Sequence, residues 1–393
     1  MMCGKRKRRT GVVLAVFLIL PLLVTGCWNN RDLTEINLVA GIGLDRTDDG
    51  KILLTIQVVE PAAIQSVSSG KGKGGGTQPI PVFVESFEGE TVFEAIRGML
   101  SLIDKKLFFS TAQVLILGEN LSKDGIIEIL DFFQRDQEID YSMDVLTAKG
   151  ATPKEILEIE TDMESIPAVY IKGTAENTIS RGTVKRTRLI DLIKDMDCIG
   201  KQPTIGQISK AGEKEVRTEG VAVFKEGKLV GWLDSRETRG FLFAIGKMKS
   251  AIVNIPAEKG KISMEIIRSK GNVKVAFENS KPVALIVKVE LEANVGGHEG
   301  RGRLDSPEDL HILEKKLEEE IKNEIMLALH KTQMEYSSDI FGFGTYVHRH
   351  HPRYWKNAEK NWNDIFSKLP VDIRVDARIM RTGIVKSPVK KEE

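Results

Sequence analysis

A thirteen-residue apolar run, Val12 to Val24, constrains this chain more than any other feature. It follows the basic cluster Lys5, Arg6, Lys7, Arg8 and Arg9 and closes on Thr25-Gly26-Cys27. As a helix rising about 1.5 Å per residue the run covers roughly 20 Å, short of the roughly 30 Å hydrocarbon core of a bilayer. The layout is that of an export signal ending at a cysteine. Thr25 and Gly26 are small enough to lie extended in a signal peptidase, so residues 1–26 are expected to be removed, with the cut between Gly26 and Cys27. Cys27 would then carry a covalent diacylglycerol on its sulfur and an N-acyl lipid on its freed amine. At about 0.8 kcal/mol per buried CH₂, one acyl chain holds a protein marginally and two or more hold it firmly. The remainder would fold outside the membrane while tied to it.

That origin limits how the body is stabilised. Cys3 leaves with the signal and Cys27 is consumed by lipid, so Cys198 has no disulfide partner and stability must come from packed cores. Cys198 itself reads as a small buried apolar residue. A chain of 393 residues that is 41% hydrophobic and 29% charged can supply two or three such cores. Its net charge of +1 gives no reason to expect nucleic acid.

The periodicity predicts a mixed α/β body. Ile36 to Val59 reads as a hairpin turning at Asp48-Asp49-Gly50, because Ile52, Leu54, Ile56 and Val58 alternate after the turn. Gly41-Ile42-Gly43 lacks the third glycine and the following helix of a dinucleotide site. Ala62 to Pro81 is rich in serine, glycine and lysine and reads as a mobile loop; no Gly-Lys-Ser or Gly-Lys-Thr leads it into a helix, so a phosphate loop is not expected. Helices are predicted over Thr91–Asp104, with Thr91 and Glu94 as a capping box, over Ser122–Gln134, and after Thr152-Pro153. Strands are predicted over 112–117 and 143–148. The order β-β-α-β-α-β-α suits a mixed sheet with packed helices over residues 27–175.

From 176 to 219 the pattern is patchy, with one helix-like piece at Thr187–Met196 and Gly200, Pro203, Gly206 and Gly212 among polar residues, and it reads as a linker region. A second α/β domain is expected over 220–386. It opens with a hairpin about Glu226-Gly227 and continues with strands at 262–268, 272–278 and 283–295. Ser306-Pro307-Glu308-Asp309 starts the longest helix, whose Leu310, Leu313, Leu317, Ile321 and Ile325 form a stripe suited to packing on a sheet. A closing strand over 371–380 alternates apolar and charged residues, as a half-buried edge or antiparallel strand does.

Catalytic chemistry is not expected, since the chain carries no nucleophile elbow, phosphate loop or zinc-protease helix. His348, His350 and His351 form the one tempting cluster. In an extended loop the first two would share a side, but no Cys, Asp or Glu stands close in sequence to complete a shell, and Arg349 and Arg353 would repel a cation, so no metal is expected. Between Asp339 and Trp355, aromatics gather around Gly342 and Gly344 and are followed by basic residues, the composition of an interface centre. Phe341 and Phe343, flanked by glycines, suit tight internal packing. Arg349, Arg353 and Tyr354 are the better partner-binding candidates.

An ordered set of motifs then marks a resemblance. Cys27-Trp28 with Arg31-Asp32-Leu33, Gly-Ile-Gly-Leu-Asp at 41–45, Phe132-Phe133-Gln134-Arg135-Asp136, Gly220-Val221-Ala222-Val223-Phe224 with Lys228-Leu229-Val230-Gly231, and Asp339-Ile340-Phe341-Gly342-Phe343-Gly344 with Pro352 and Trp355-Lys356 resemble the Ger(x)C family. These are the C-subunit lipoproteins of spore nutrient germinant receptors. Asn29 departs from the family pattern, which often has an acid there, and so does the histidine-rich loop. The resemblance implies a non-enzymatic subunit held by lipid on the outer face of the spore inner membrane, beside two multi-spanning subunits. It also implies a three-domain body, which would divide the second half near 255–300. The competing reading is a lipid-anchored solute-binding protein delivering a nutrient to a transporter. Such proteins usually have two similar lobes around a cleft, whereas the two halves here differ in pattern.

Overall fold

The computed structural model describes residues 35–59, 82–257, 260–298 and 306–381. The expected signal sequence, Cys27 and the glycine-rich stretch at 62–81 lie outside the described residues. The expected hairpin is present as β1 (Ile36–Arg46) and β2 (Ile52–Val59), antiparallel and turned at Gly50, which takes a φ of 89°. On the far side of β2 lies β3 (Val82–Gly89), which no alternation announces: Val82, Phe83 and Val84 run together before the polar Glu85 and Ser86.

Thr91 caps α1 (Val92–Met99), its hydroxyl accepting from the Glu94 amide at 3.1 Å, while the Glu94 carboxylate reaches the Glu90 amide. The helix ends short of the expected Asp104, because Leu100 and Leu102 are exposed and no buried stripe continues. β4 (Lys106–Phe108) and β5 (Val114–Leu117) both run parallel to β1. The single helix expected over Ser122–Gln134 is two, α2 (Glu119–Asp124) and α3 (Ile127–Arg135), because Gly125 between them adopts a φ of 140°. Next come β6 (Asp144–Ala148), α4 (Pro153–Leu157) with its complete Thr152/Glu155 capping box, α5 (Pro167–Thr178) and α6 (Leu189–Met196).

The stretch read as a linker is ordered. Besides α6 it holds β7 (Thr204–Lys210) and the short β8 (Val216–Arg217), and β7 lies inside the sheet between β6 and β9 (Val221–Lys225). Its Ile205 and Ile208 are buried, but Gly206 and Gln207 between them dilute the signal. Gly206 is required there, since a Cβ would meet the Lys185 carbonyl oxygen at 2.7 Å. β10 (Lys228–Leu233) completes the expected hairpin with β9, whose turn residues Glu226 and Gly227 both have positive φ, 54° and 79°. The ten-stranded sheet runs β10-β9-β7-β6-β5-β1-β2-β3, with β4 beside β1 and β8 beside β7. On one face α1, α3 and α6 contribute Met99, Phe133 and Leu192 to a core, and on the other α4 and α5 contribute Leu157 and Ile171.

A second sheet follows α7 (Ser235–Ala244): β11 (Ala251–Pro256), β12 (Lys261–Glu278), β13 (Lys281–His298) and, after the helices, β14 (Val371–Arg381), in that spatial order. The two strands expected over 262–278 are one, bent by a bulge between Ile266 and Arg268 instead of broken. β14 is an edge strand as expected, but it runs parallel to β13. This follows from the long connection through α8 (Pro307–His330), a π turn over 331–335, α9 (Phe343–His350), α10 (Pro352–Ala358) and α11 (Trp362–Lys368), which brings the chain back in the same direction. The fold is thus a mixed α+β one with an N-terminal and a C-terminal unit.

α8 packs on this sheet through Leu313, Leu317, Ile321 and Ile325, as its stripe predicts. It crosses α7 at Gly240, where a Cβ would run into the Glu324 backbone. Beside that crossing the fully buried Glu324 side chain pairs with Arg239, with Arg239 Nε donating to Oε2 at 3.1 Å. Burial pushes the Glu324 carboxyl upward in pKa, opposed by the Arg239 guanidinium. Removing one member of a buried pair is far costlier than replacing both. Glu324→Ala should lower unfolding stability in urea by about 3 kcal/mol, whereas Glu324→Leu with Arg239→Leu should recover most of that loss; equal losses in the two variants would show that the pair does not matter.

Candidate interaction surface

The stretch expected to meet partners is built on a buried carboxylate. Asp339 is fully buried. Its Oδ1 accepts from the amides of Phe341, Gly342 and Phe343 at 3.1, 2.9 and 3.3 Å. Its Oδ2 accepts from the Gly344 amide at 2.7 Å and from Trp362 Nε1 at 2.8 Å. Burial pushes this carboxyl upward in pKa, and the hydrogen bonds from Trp362, Gly344, Gly342 and Phe343 oppose it. Since every one of these partners is a donor, the cradle fits the ionised carboxylate and offers no acceptor to an acid proton. Gly342 has a φ of 87°, and a Cβ on Gly344 would meet Trp362 Nε1 at 2.5 Å. The sequence Asp339-Ile340-Phe341-Gly342-Phe343-Gly344 is therefore a backbone fold held by its own aspartate, and Phe341 and Phe343 are buried in it.

The same loop joins the two halves of the chain. Gln202 donates its amide to the Asp339 carbonyl at 2.8 Å, and the Thr345 amide and hydroxyl donate to the carbonyls of Gly200 at 3.1 Å and Ile199 at 2.8 Å. Gly200, at a φ of 75°, lets the segments touch, since a Cβ there would meet the Thr345 nitrogen at 2.7 Å. Cys198, read as a small buried apolar residue, is half-buried and lies in this seam with its Sγ 3.5 Å from Thr345 Oγ1. Ser338 donates its hydroxyl to the Phe224 carbonyl at 2.7 Å, and the Tyr336 hydroxyl bridges the Trp232 backbone at 3.0 and 3.2 Å. No sequence motif linked 198–202 to 339–345, although glycines at both places were the available signal.

Above this seam α9 and α10 carry the candidate residues. Arg349 and Arg353 are exposed, and Arg349 borders a cleft of about 240 Å³ beside Gly271 and Asn272 of β12. Tyr354 is half-buried against Phe277 of the same strand, ring centres 5.4 Å apart and edge-on. It is as much a packing residue as a surface one. The histidines sit on or beside α9, not in an extended loop, and each meets a different aromatic: His348 meets Trp355, His350 meets Tyr346, and His351 stacks on Phe277 at 3.7 Å. Among the described residues no three His, Cys, Asp or Glu side chains are placed to hold a metal ion.

Other motifs also turn out to be structural. A Cβ on Gly41 or Gly43 would meet Leu157 or Pro153 at 2.7 Å, so these glycines let α4 settle onto β1. Asp45 is buried and accepts the Arg46 and Leu121 amides, at 2.9 and 3.3 Å, which fixes the start of α2. The Phe132–Asp136 motif differs. Phe132, Arg135 and Asp136 line an open groove of about 860 Å³ with Ile96, Leu107 and Phe109, a feature the sequence reading missed because its walls come from three separate elements.

Residues 29–210 match the family model described as the spore germination protein N-terminal domain, and residues 219–383 match that described as spore germination B3/GerAC like, C-terminal. The chain is similar to spore germination protein KC of Bacillus subtilis, 27% identical, with 97% of this chain and 98% of that one aligned. It is likewise similar to spore germination protein B3 of the same organism, 25% identical over 96% and 99%. Its fold matches the crystal structure of the GerBC protein with a TM-score of 0.54 at 21% identity, covering 86% of this chain and 97% of the other.

Asp339→Asn would turn an amide NH₂ toward donors it cannot bond. It should cost about 2–4 kcal/mol of unfolding stability, while Arg349→Ala with Arg353→Ala should change stability by less than about 0.5 kcal/mol. Urea titrations of the three proteins check this; a stable Asp339→Asn protein would mean that the cradle is not strained by losing its charge.

Proposed function

Because the chain belongs to the spore germination B3/GerAC-like family, we propose that it acts in spore germination as the lipid-anchored, non-enzymatic subunit of a nutrient receptor. The observation that carries this reading is the ordered match of both family domains, over 29–210 and 219–383, and the basic and apolar run that closes on Cys27 supports the anchor. In this reading Cys27 bears the lipid, the body lies on the outer face of the spore inner membrane, and two multi-spanning subunits are its partners. α9 and α10 present Arg349 and Arg353 to those partners from a base that the Asp339 cradle holds rigid. A non-enzymatic role is supported by the way the buried acids Asp339, Glu324, Asp45 and Asp144 are each bonded by amide donors or an arginine. Two similar lobes, as the solute-binding reading requires, are not what the ten-stranded and four-stranded sheets provide.

Cys27→Ala should abolish incorporation of labelled fatty acid and slow germination, because that sulfur is the attachment point of the anchor. Arg349→Ala with Arg353→Ala should keep the label yet recover less of the multi-spanning subunits from spore membranes. Label on the Cys27→Ala protein, or none on the unaltered one, would contradict the anchor; normal recovery of the subunits with the arginine variant would remove α9 and α10 as the contact.

A further inference from the structure

The groove lined by Phe132 lies beside the point where the chain enters the fold. Ile36, the first residue of β1, is the register partner of Lys106 on β4, and Lys106 and Leu107 form part of the groove wall. Ile36 lies nine positions after Cys27, and even fully extended that stretch of chain spans at most roughly 30 Å. A bilayer that holds the lipid on Cys27 is therefore close to this face.

The face has the chemistry of an interfacial contact. Phe93 is 55% exposed, Leu100 40% and Leu102 56%, on the rim and the loop next to it. Its charges are mostly balanced: Lys106 pairs with Glu138, and Arg135 with Asp131 at 2.8 Å. The Arg97 guanidinium lies over the Phe93 ring at 5.1 Å, an amphipathic pair suited to the boundary between water and acyl chains. We infer that this groove face rests on the bilayer, with Phe93, Leu100 and Leu102 entering the headgroup layer. The inference rests on the lipid anchor at Cys27, which supplies the effective concentration that a weak apolar contact needs. Balanced charge makes the contact apolar and little affected by salt or by anionic lipid.

The test uses the full lipidated protein in a Cys198→Ala background, reconstituted into phosphatidylcholine vesicles with or without brominated acyl chains. A fluorescent thiol label is placed by Leu100→Cys in one protein and by Ile267→Cys in another; Ile267 is 47% exposed on the four-stranded sheet. Insertion of about 5–10 Å should at least halve emission from the label at residue 100 in brominated vesicles, at low and high salt alike, and leave that at residue 267 unchanged. Protein that floats with the vesicles but shows equal quenching at the two positions, or none at 100, overturns the inference while keeping the anchor. Shielding at 100 only in the purified receptor complex would give the face to a protein partner and also overturn it. Failure to float at all refutes the anchor, and the inference with it.

Discussion

The Asp339 carboxylate is the interaction on which the arrangement of the two halves depends. A fully buried acid would be expensive to keep ionised, yet four backbone amides and an indole converge on it. In doing so they fix the turn that starts α9, seat Trp362 and present the carbonyl that Gln202 bonds across the seam. One side chain thus satisfies the backbone of a loop that neither sheet could stabilise through its own ladder. Gly200 and Gly344 permit the approach, and a methyl group at either would force the segments apart.

The second tie between the halves is β9. Val221 and Val223 face the C-terminal core, while Ala222 and Phe224 face a core of the ten-stranded sheet. A strand with period two buried on both faces belongs to both units at once. The β9–β10 hairpin completes the N-terminal sheet, and α7 follows it directly into the C-terminal core. The boundary between the matched family domains, 210 to 219, falls just before this shared hairpin.

Much of this was legible in the sequence where periodicity was long or a cap was present. The β1–β2 hairpin, the long helix from Ser306 and the alternation of β14 each carry a strong local signal. What local pattern could not carry was pairing at a distance. β7 reads as linker because its buried Ile205 and Ile208 flank a glycine and a glutamine, and its place between β6 and β9 is a tertiary fact. The direction of β14 depends on the connection before it, not on its own residues. Gly125 was visible, but its left-handed φ, which splits α2 from α3, was not. Of the candidate surface, the burial of Phe341 and Phe343 was legible from their glycine neighbours. The half-buried Tyr354 was not, because its partner Phe277 lies on a distant strand.

The motifs that tie this chain to its family are mostly devices of backbone packing: glycines where elements cross and aspartates where amides need an acceptor. A rigid body follows from them, and amide hydrogen exchange tests that rigidity most directly. If the Asp339 cradle is the keystone of the seam, the amides of Phe341, Gly342, Phe343 and Gly344 exchange only through global unfolding, with the free energy that urea denaturation gives for the whole molecule. Exchange of these four through a smaller, local opening while the β1 and β5 amides stay protected would contradict the account.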